Sequence, residues 1–265
     1  MKVAVLIAGE YREFETAFKS WKFKDWFDCD FYFSTWDRTY EFNEKLNINI
    51  DEPVSLQRIK KIVDVVRCNI YNSKMHDSVL SIKSQSAKSK AAIKSLSNEQ
   101  LNFIKDAKFG FWKQIFLLKS CINLMTYSGI EYTHAILIRP DLFLNIDDAS
   151  SKSKFIEKMN TKFIVLGGYT DTTTQDQMYF GPVDLVSRFN NVNVDYISYM
   201  IGTELLDCHK IMRQEFFRLF REDEIDQLFC DYIIVRSNAK NFDNYNDVLT
   251  AHKIWWRTKY NQEVE

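Results

Sequence analysis

Proline is scarce in this chain, at 3 of 265 residues, and glycine little commoner at 7, which leaves small scope for long flexible linkers. Net charge is nearly absent: 35 basic against 36 acidic side chains give −1 and a pI near 6.5. No global field is therefore available to hold nucleic acid or an anionic membrane, and partners are expected at a local site. No run of eighteen apolar residues occurs, so nothing is expected to span a bilayer. The opening apolar run at 3–8 is too short for a signal h-region and passes into Gly9, Glu10 and Arg12 rather than a small-residue cleavage site. The cysteines, Cys29, Cys68, Cys121, Cys208 and Cys230, are odd in number and form no CxxC pair. That speaks against a disulfide framework and a thiolate zinc site, and the expected setting is a reducing cytoplasm.

What is present is apolar mass. At 46% apolar and 15% aromatic, the chain can bury a sizeable core, and one α/β domain over 1–265 is expected. Residues 3–8 form a continuous, β-branched-rich apolar run ending at Gly9, which reads as a strand buried on both faces. Phe14, Ala17, Phe18 and Trp21 then recur at helical spacing, and 30–35 reads as a second strand leading into Trp36 and Asp37. Leu56, Ile59, Ile62, Val63 and Val66 suggest a helix, followed by a short strand over 68–71. The Ser- and Lys-rich stretch 78–97 reads as a loop, a lid or a solvated helix. A longer helix carries Phe111, Ile115, Leu118, Ile122 and Met125 on one face. Strands are expected at 134–138, 163–166 and 232–235, and helices near 183–189 and from Thr203 to about Leu219. Alternating strands and helices predict a mostly parallel sheet flanked by helices, whose ligands bind beyond the carboxyl ends of the strands.

The strand ends are therefore where the chemistry is sought. The first strand ends in Gly9-Glu10-Tyr11-Arg12: glycine lets backbone approach a ligand, and an arginine three residues on can reach a phosphate or carboxylate. The plain alternative is a turn glycine and a surface arginine. The pattern is neither GxGxxG nor a P-loop. Thr35, Trp36 and Asp37 offer hydrogen-bonding groups and a flat ring suited to a ribose or base, or else a core tryptophan with an aspartate cap. Arg139-Pro140-Asp141 places a cation and a carboxylate directly after a buried strand, where unpaired charge is costly. Either Asp141 holds a divalent cation through oxygen ligands, or the two charges pair with neighbours. Asp176, in Gln175-Asp176-Gln177, is a candidate general base, nucleophile or orienting group, or a turn cap. Glu204 opens a helix, where the dipole favours a carboxylate in any case. His252 lies among Trp255, Trp256 and Arg257, where packing is the commoner fate of a histidine.

These segments in order, "KVAVLIAGEYREFETAFKSW", "DFYFSTWD", "FWKQIFLLKSCINLM", "YTHAILIRPDLFLN", "DQMYFGPVDLV" and "TELLDCHKI", resemble GT-A-like glycosyltransferases of bacterial, phage and algal-virus surface-glycan loci. The resemblance implies a GT-A, Rossmann-like sheet with a donor half at about 1–145 and an acceptor half at about 146–265. It implies a hexosyltransferase-type enzyme acting on a nucleotide-diphosphate sugar, UDP-linked by preference and GDP-linked as the alternative, with a glycan or lipid-linked glycan as acceptor. Gly9, Arg12, Thr35, Trp36, Asp37, Lys119, Arg139, Asp141 and Gln177 would line the donor cleft. Asp141, loosely joined by His252, would hold Mn²⁺ or Mg²⁺, and Asp176 and Glu204 would act on the acceptor side. The chain departs from the family's Asp-x-Asp motif by carrying Arg139 in place of the first acid, so that this arginine is a candidate to contact the diphosphate itself. The rival expectations are a nucleotidyltransferase and a non-catalytic sugar- or protein-binding module on the same kind of fold.

Overall fold

Strand β1 (Lys2–Ala8) is the centre of the computed structural model, which describes residues 1–74, 110–146, 149–168, 175, 177–192, 208–239 and 241–260. Every residue from Val3 to Ala8 is fully buried, as an unbroken apolar run requires of a strand covered on both faces. β1 pairs in parallel with β2 (Asp28–Trp36) on one side and β6 (His134–Ile138) on the other. β2 pairs in turn with β5 (Val65–Tyr71). On the far side of β6 lie β9 (Met178–Pro182), β8 (Phe163–Leu166) and β10 (Ile225–Leu228). The sheet order is β10-β8-β9-β6-β1-β2-β5, with β9 antiparallel to both neighbours and every other pairing parallel. The mostly parallel α/β sheet read from the sequence is thus present.

Two small antiparallel ribbons stand outside it. β3 (Arg38–Asn43) and β4 (Ile48–Pro53) form a hairpin, and β7 (Leu142–Asn145) pairs with β11 (Asp231–Ile234). On one face of the sheet, Ile115, Leu118, Cys121 and Ile122 of helix Gly110–Thr126 and Met212 and Phe216 of helix Cys208–Leu219 cover Leu6, Leu137 and Val165. On the other, Phe14, Trp21, Ile59 and Phe155 cover Val5, Ile7, Phe33 and Phe180. A third cluster joins Phe143 of β7 and Ile233 of β11 to Val248 and Ala251 of helix Tyr245–Tyr260. Each fully buried large side chain contributes about 1.5–3 kcal/mol.

Several local expectations change. The first helix stops at Lys19, and Trp21 leads into a short 3-10 turn, its indole N–H donating to the Leu142 carbonyl at 2.7 Å. The helix expected through Val66 ends at Lys60, because Val65 and Val66 belong to β5. β3, β4, β10 and helices Ala149–Met159 and Tyr245–Tyr260 are additional elements. Residues 78–97 lie outside the described residues. Cys29, Cys68, Cys121 and Cys230 are free thiols. No helix among the described residues is long and apolar enough to cross a membrane.

Candidate functional site

Register brings two strand ends together. Ala8 pairs with Ser34 and Ile7 with Ile138, so Gly9 lies between the ends of β2 and β6, where its N–H donates to the Ser34 carbonyl at 3.2 Å. Gly9 has φ +149°, and a Cβ there would lie 2.8 Å from Pro140 Cδ. Glycine is what lets the β1 turn close against the Arg139-Pro140-Asp141 turn. Three residues on, Arg12 takes a positive φ of 24°, an uncommon backbone state for a residue with a side chain. Its N–H donates to Thr39 Oγ1 of β3 at 3.1 Å, which ties the turn to the hairpin.

Asp141 is the focus of the site. It is 1% exposed. Arg139 donates from Nε to Oδ1 at 2.9 Å and from its terminal nitrogen to Oδ2 at 3.0 Å, a two-point fork. Arg12 Nη1 donates to Oδ2 at 3.1 Å, and Arg236 Nη1 stands 3.9 Å from the same oxygen. Burial by itself would raise the Asp141 pKa, but the charges of Arg139 and Arg12, the Arg139 hydrogen bonds and the charge of Arg236 outweigh it, holding the carboxyl well below the usual aspartate range. Burial first, then the like charge of Arg12, lowers Arg236 to about 10; it still carries its proton at neutral pH.

Arg236 escaped the sequence reading, which followed the strand to Val235 and stopped. Its position follows from the β7–β11 ribbon: Leu142 pairs with Ile234, and the Val235 N–H donates to the Asp141 carbonyl at 2.7 Å, which delivers the next residue to the carboxylate. The available signal was that both "ILIR" and "IIVR" end an apolar run in arginine. The Arg236 guanidinium lies 4.7 Å from the Trp255 ring centroid. The Trp255 indole N–H is held by Glu41 Oε1 at 2.9 Å, and Glu41 Oε2 accepts the Ser237 N–H at 3.2 Å. On the other flank Glu10 pairs with Arg12 at 2.9 Å and accepts the Tyr40 N–H at 2.8 Å. Glu10, Thr39 and Glu41 are further members of the site.

The remaining candidates are placed differently. Trp36 is buried and stacks on Phe116 at 5.9 Å with an interplanar angle of 13°, so that face of its indole is occupied. Thr35 is fully buried, its hydroxyl without a hydrogen-bond partner among the described residues. Asp37 holds the end of β5 through the Ser73 N–H at 3.0 Å, the Ser73 hydroxyl at 3.1 Å and Asn72 Nδ2 at 2.8 Å. Lys119 donates to the Val192 carbonyl at 3.1 Å and feels the charge of Glu215 on helix Cys208–Leu219, with burial lowering its pKa. Gln177 is buried, and its carbonyl accepts the Arg139 N–H at 3.1 Å. His252 Nδ1 meets the Ile234 carbonyl at 3.2 Å, and burial lowers its pKa. Asp176 and Glu204 lie outside the described residues.

Mn²⁺ or Mg²⁺ prefers open carboxylate and water oxygens. Here both oxygens of Asp141 are taken by guanidinium N–H groups, and a cation added beside them would sit against three positive charges. Among the described residues no group of three or more His, Cys, Asp and Glu side chains is set to hold a metal. As these side chains stand, they do not fit a divalent cation at Asp141. The chain matches no protein-family model and no curated protein sequence.

Proposed function

We propose that this chain is a glycosyltransferase of the GT-A type, taking a nucleotide-diphosphate sugar at the carboxyl ends of β1 and β6. The observation that carries the reading is the convergence of Gly9, Arg12 and the Arg139–Asp141 fork at adjacent parallel strand ends, where α/β sheets take their ligands. The sheet order, with a lone antiparallel strand beside β6, is compatible with that class of fold. In this reading the bond from the anomeric carbon to the diphosphate oxygen breaks, and Arg12 and Arg139 stabilise the charge left on the departing nucleoside diphosphate. The acceptor hydroxyl attacks the anomeric carbon, and Asp176 and Glu204 are the candidate carboxylates to orient it or take its proton.

A panel of UDP-, GDP-, dTDP- and CMP-sugars, each with Mn²⁺, Mg²⁺ or EDTA, tests the donor site by thermal unfolding, because a ligand of the native state raises its melting temperature. One nucleotide class is expected to raise it by about 5 °C or more at a hundredfold excess over Kd. No shift under any condition would end the donor-site reading. A non-catalytic binding module is favoured over the transferase by one observation, the carboxylate of Asp141 closed off by arginines. Release of free sugar or its transfer from the stabilising donor decides between them.

A further inference from the structure

The cluster at Asp141 has more cationic donors than acceptors. Each guanidinium carries five N–H groups, and three of them meet one carboxylate with two oxygens, already forked by Arg139. Glu10 engages Arg12, and Glu41 is turned to Trp255 and the Ser237 N–H. Arg12 Nε and Arg236 Nε are both buried and without a hydrogen-bond partner among the described residues, a costly arrangement for charged donors. Arg236 makes no contact with Asp141 closer than 3.9 Å. Its guanidinium carbon lies 4.7 Å from the Trp255 ring centroid, a cation–π contact that holds the group beside the ring.

We infer that Arg236 is a binding residue for the donor's diphosphate, and that this diphosphate is recognised by the guanidinium groups of Arg12, Arg139 and Arg236 without a resident divalent cation. The inference rests on the donor-site reading above and deepens it. Asp141 serves as the internal counter-ion that keeps the three cations together. An arriving diphosphate is hydrogen-bonded by Arg236 and the outer edge of Arg12, while Arg139 stays forked on Asp141 and contributes its charge. A pyrophosphate group has the charge and the spread of acceptor oxygens to satisfy several forks at once, which a single carboxylate lacks.

Inorganic pyrophosphate and UDP are the probes, titrated calorimetrically into the full chain in EDTA and again in Mg²⁺. The inference predicts binding of pyrophosphate in EDTA, weakened at least about tenfold by Arg236→Gln, the loss expected when one charge-assisted contact is removed. Arg236→Lys, which keeps the charge and loses the fork, should fall between; it also guards against a Gln variant that does not fold. Arg221→Gln, an exposed arginine of the 3-10 turn at Glu222–Glu224, should bind as the parent does. Binding of pyrophosphate and UDP only in Mg²⁺ would overturn the inference and leave the transferase reading standing. Unchanged binding by both Arg236 variants in EDTA would remove Arg236 from the site. If neither probe binds in either condition, the inference and the donor-site reading fall together.

Discussion

At the scale of single residues the account turns on charge taken out of water. Asp141 is buried amid three arginines, and removing one partner of such a set leaves the others uncompensated, at about 3–5 kcal/mol. Asp141→Ala should therefore lower stability by about that amount in chemical denaturation, while Asp141→Asn, which keeps the shape and one acceptor, should cost less; a loss below about 1 kcal/mol for the alanine variant would mean the arginines have other counter-ions. The same residue sets a pH dependence. Its folded pKa is depressed, so its contribution is fully present above the unfolded value of about 3.9 and is lost as the pH falls below that value. Acid unfolding of the parent should thus steepen below about pH 4, and Asp141→Asn should flatten that limb. Gly9→Ala should destabilise by about 1–3 kcal/mol, since its Cβ would meet Pro140, and should weaken nucleotide binding with it. Gly9, Arg12, Arg139 and Asp141 were legible in the sequence because each follows an apolar run at a point where charge or glycine needs a reason. Arg236 was not, because its nearness to Asp141 depends on the pairing of β7 with β11, a contact between residues almost a hundred positions apart that no local pattern encodes.

Among the elements, the hairpin of β3 and β4 shows how a site can hide from a hydrophobicity pattern. β3 alternates as a strand should, but inverted: Tyr40 and Phe42 are 54% and 56% exposed, while Thr39, Glu41 and Asn43 are buried. Polar groups face inward because that side meets the Arg12 turn and Trp255, so the rule that finds core strands misses this one. Glu41→Ala would remove the carboxylate that accepts the Trp255 indole N–H and the Ser237 N–H, at a cost of about 1–3 kcal/mol, read as an equal fall in unfolding free energy; with Trp255 no longer anchored by Glu41, pyrophosphate binding should also weaken. Helix Tyr245–Tyr260 was legible in principle, since Val248, Ala251 and Trp255 recur at helical spacing and are buried. β10, "IDQL" at the sheet edge, is half polar and too short to announce itself.

For the whole molecule, the near-zero net charge and the concentrated cations belong together. With no global attraction for anions, binding at Asp141 should depend on salt only through the local cluster, since partly buried charges are weakly screened. The parallel sheet was foreseeable from alternating strands and helices, and the same pattern is what directs the search for a ligand to its carboxyl edge. The reversal of β9 was not: direction depends on how the connection from β8 returns, and pairing on both sides fixes it only in three dimensions. A crystal structure of the chain with UDP in EDTA bears most directly on the central claim. The account predicts the diphosphate beyond the ends of β1 and β6, with its oxygens within hydrogen-bond distance of Arg12 and Arg236 and the Arg139–Asp141 fork intact. UDP bound elsewhere, or bound there while Arg12 and Arg236 keep their present partners, would contradict it.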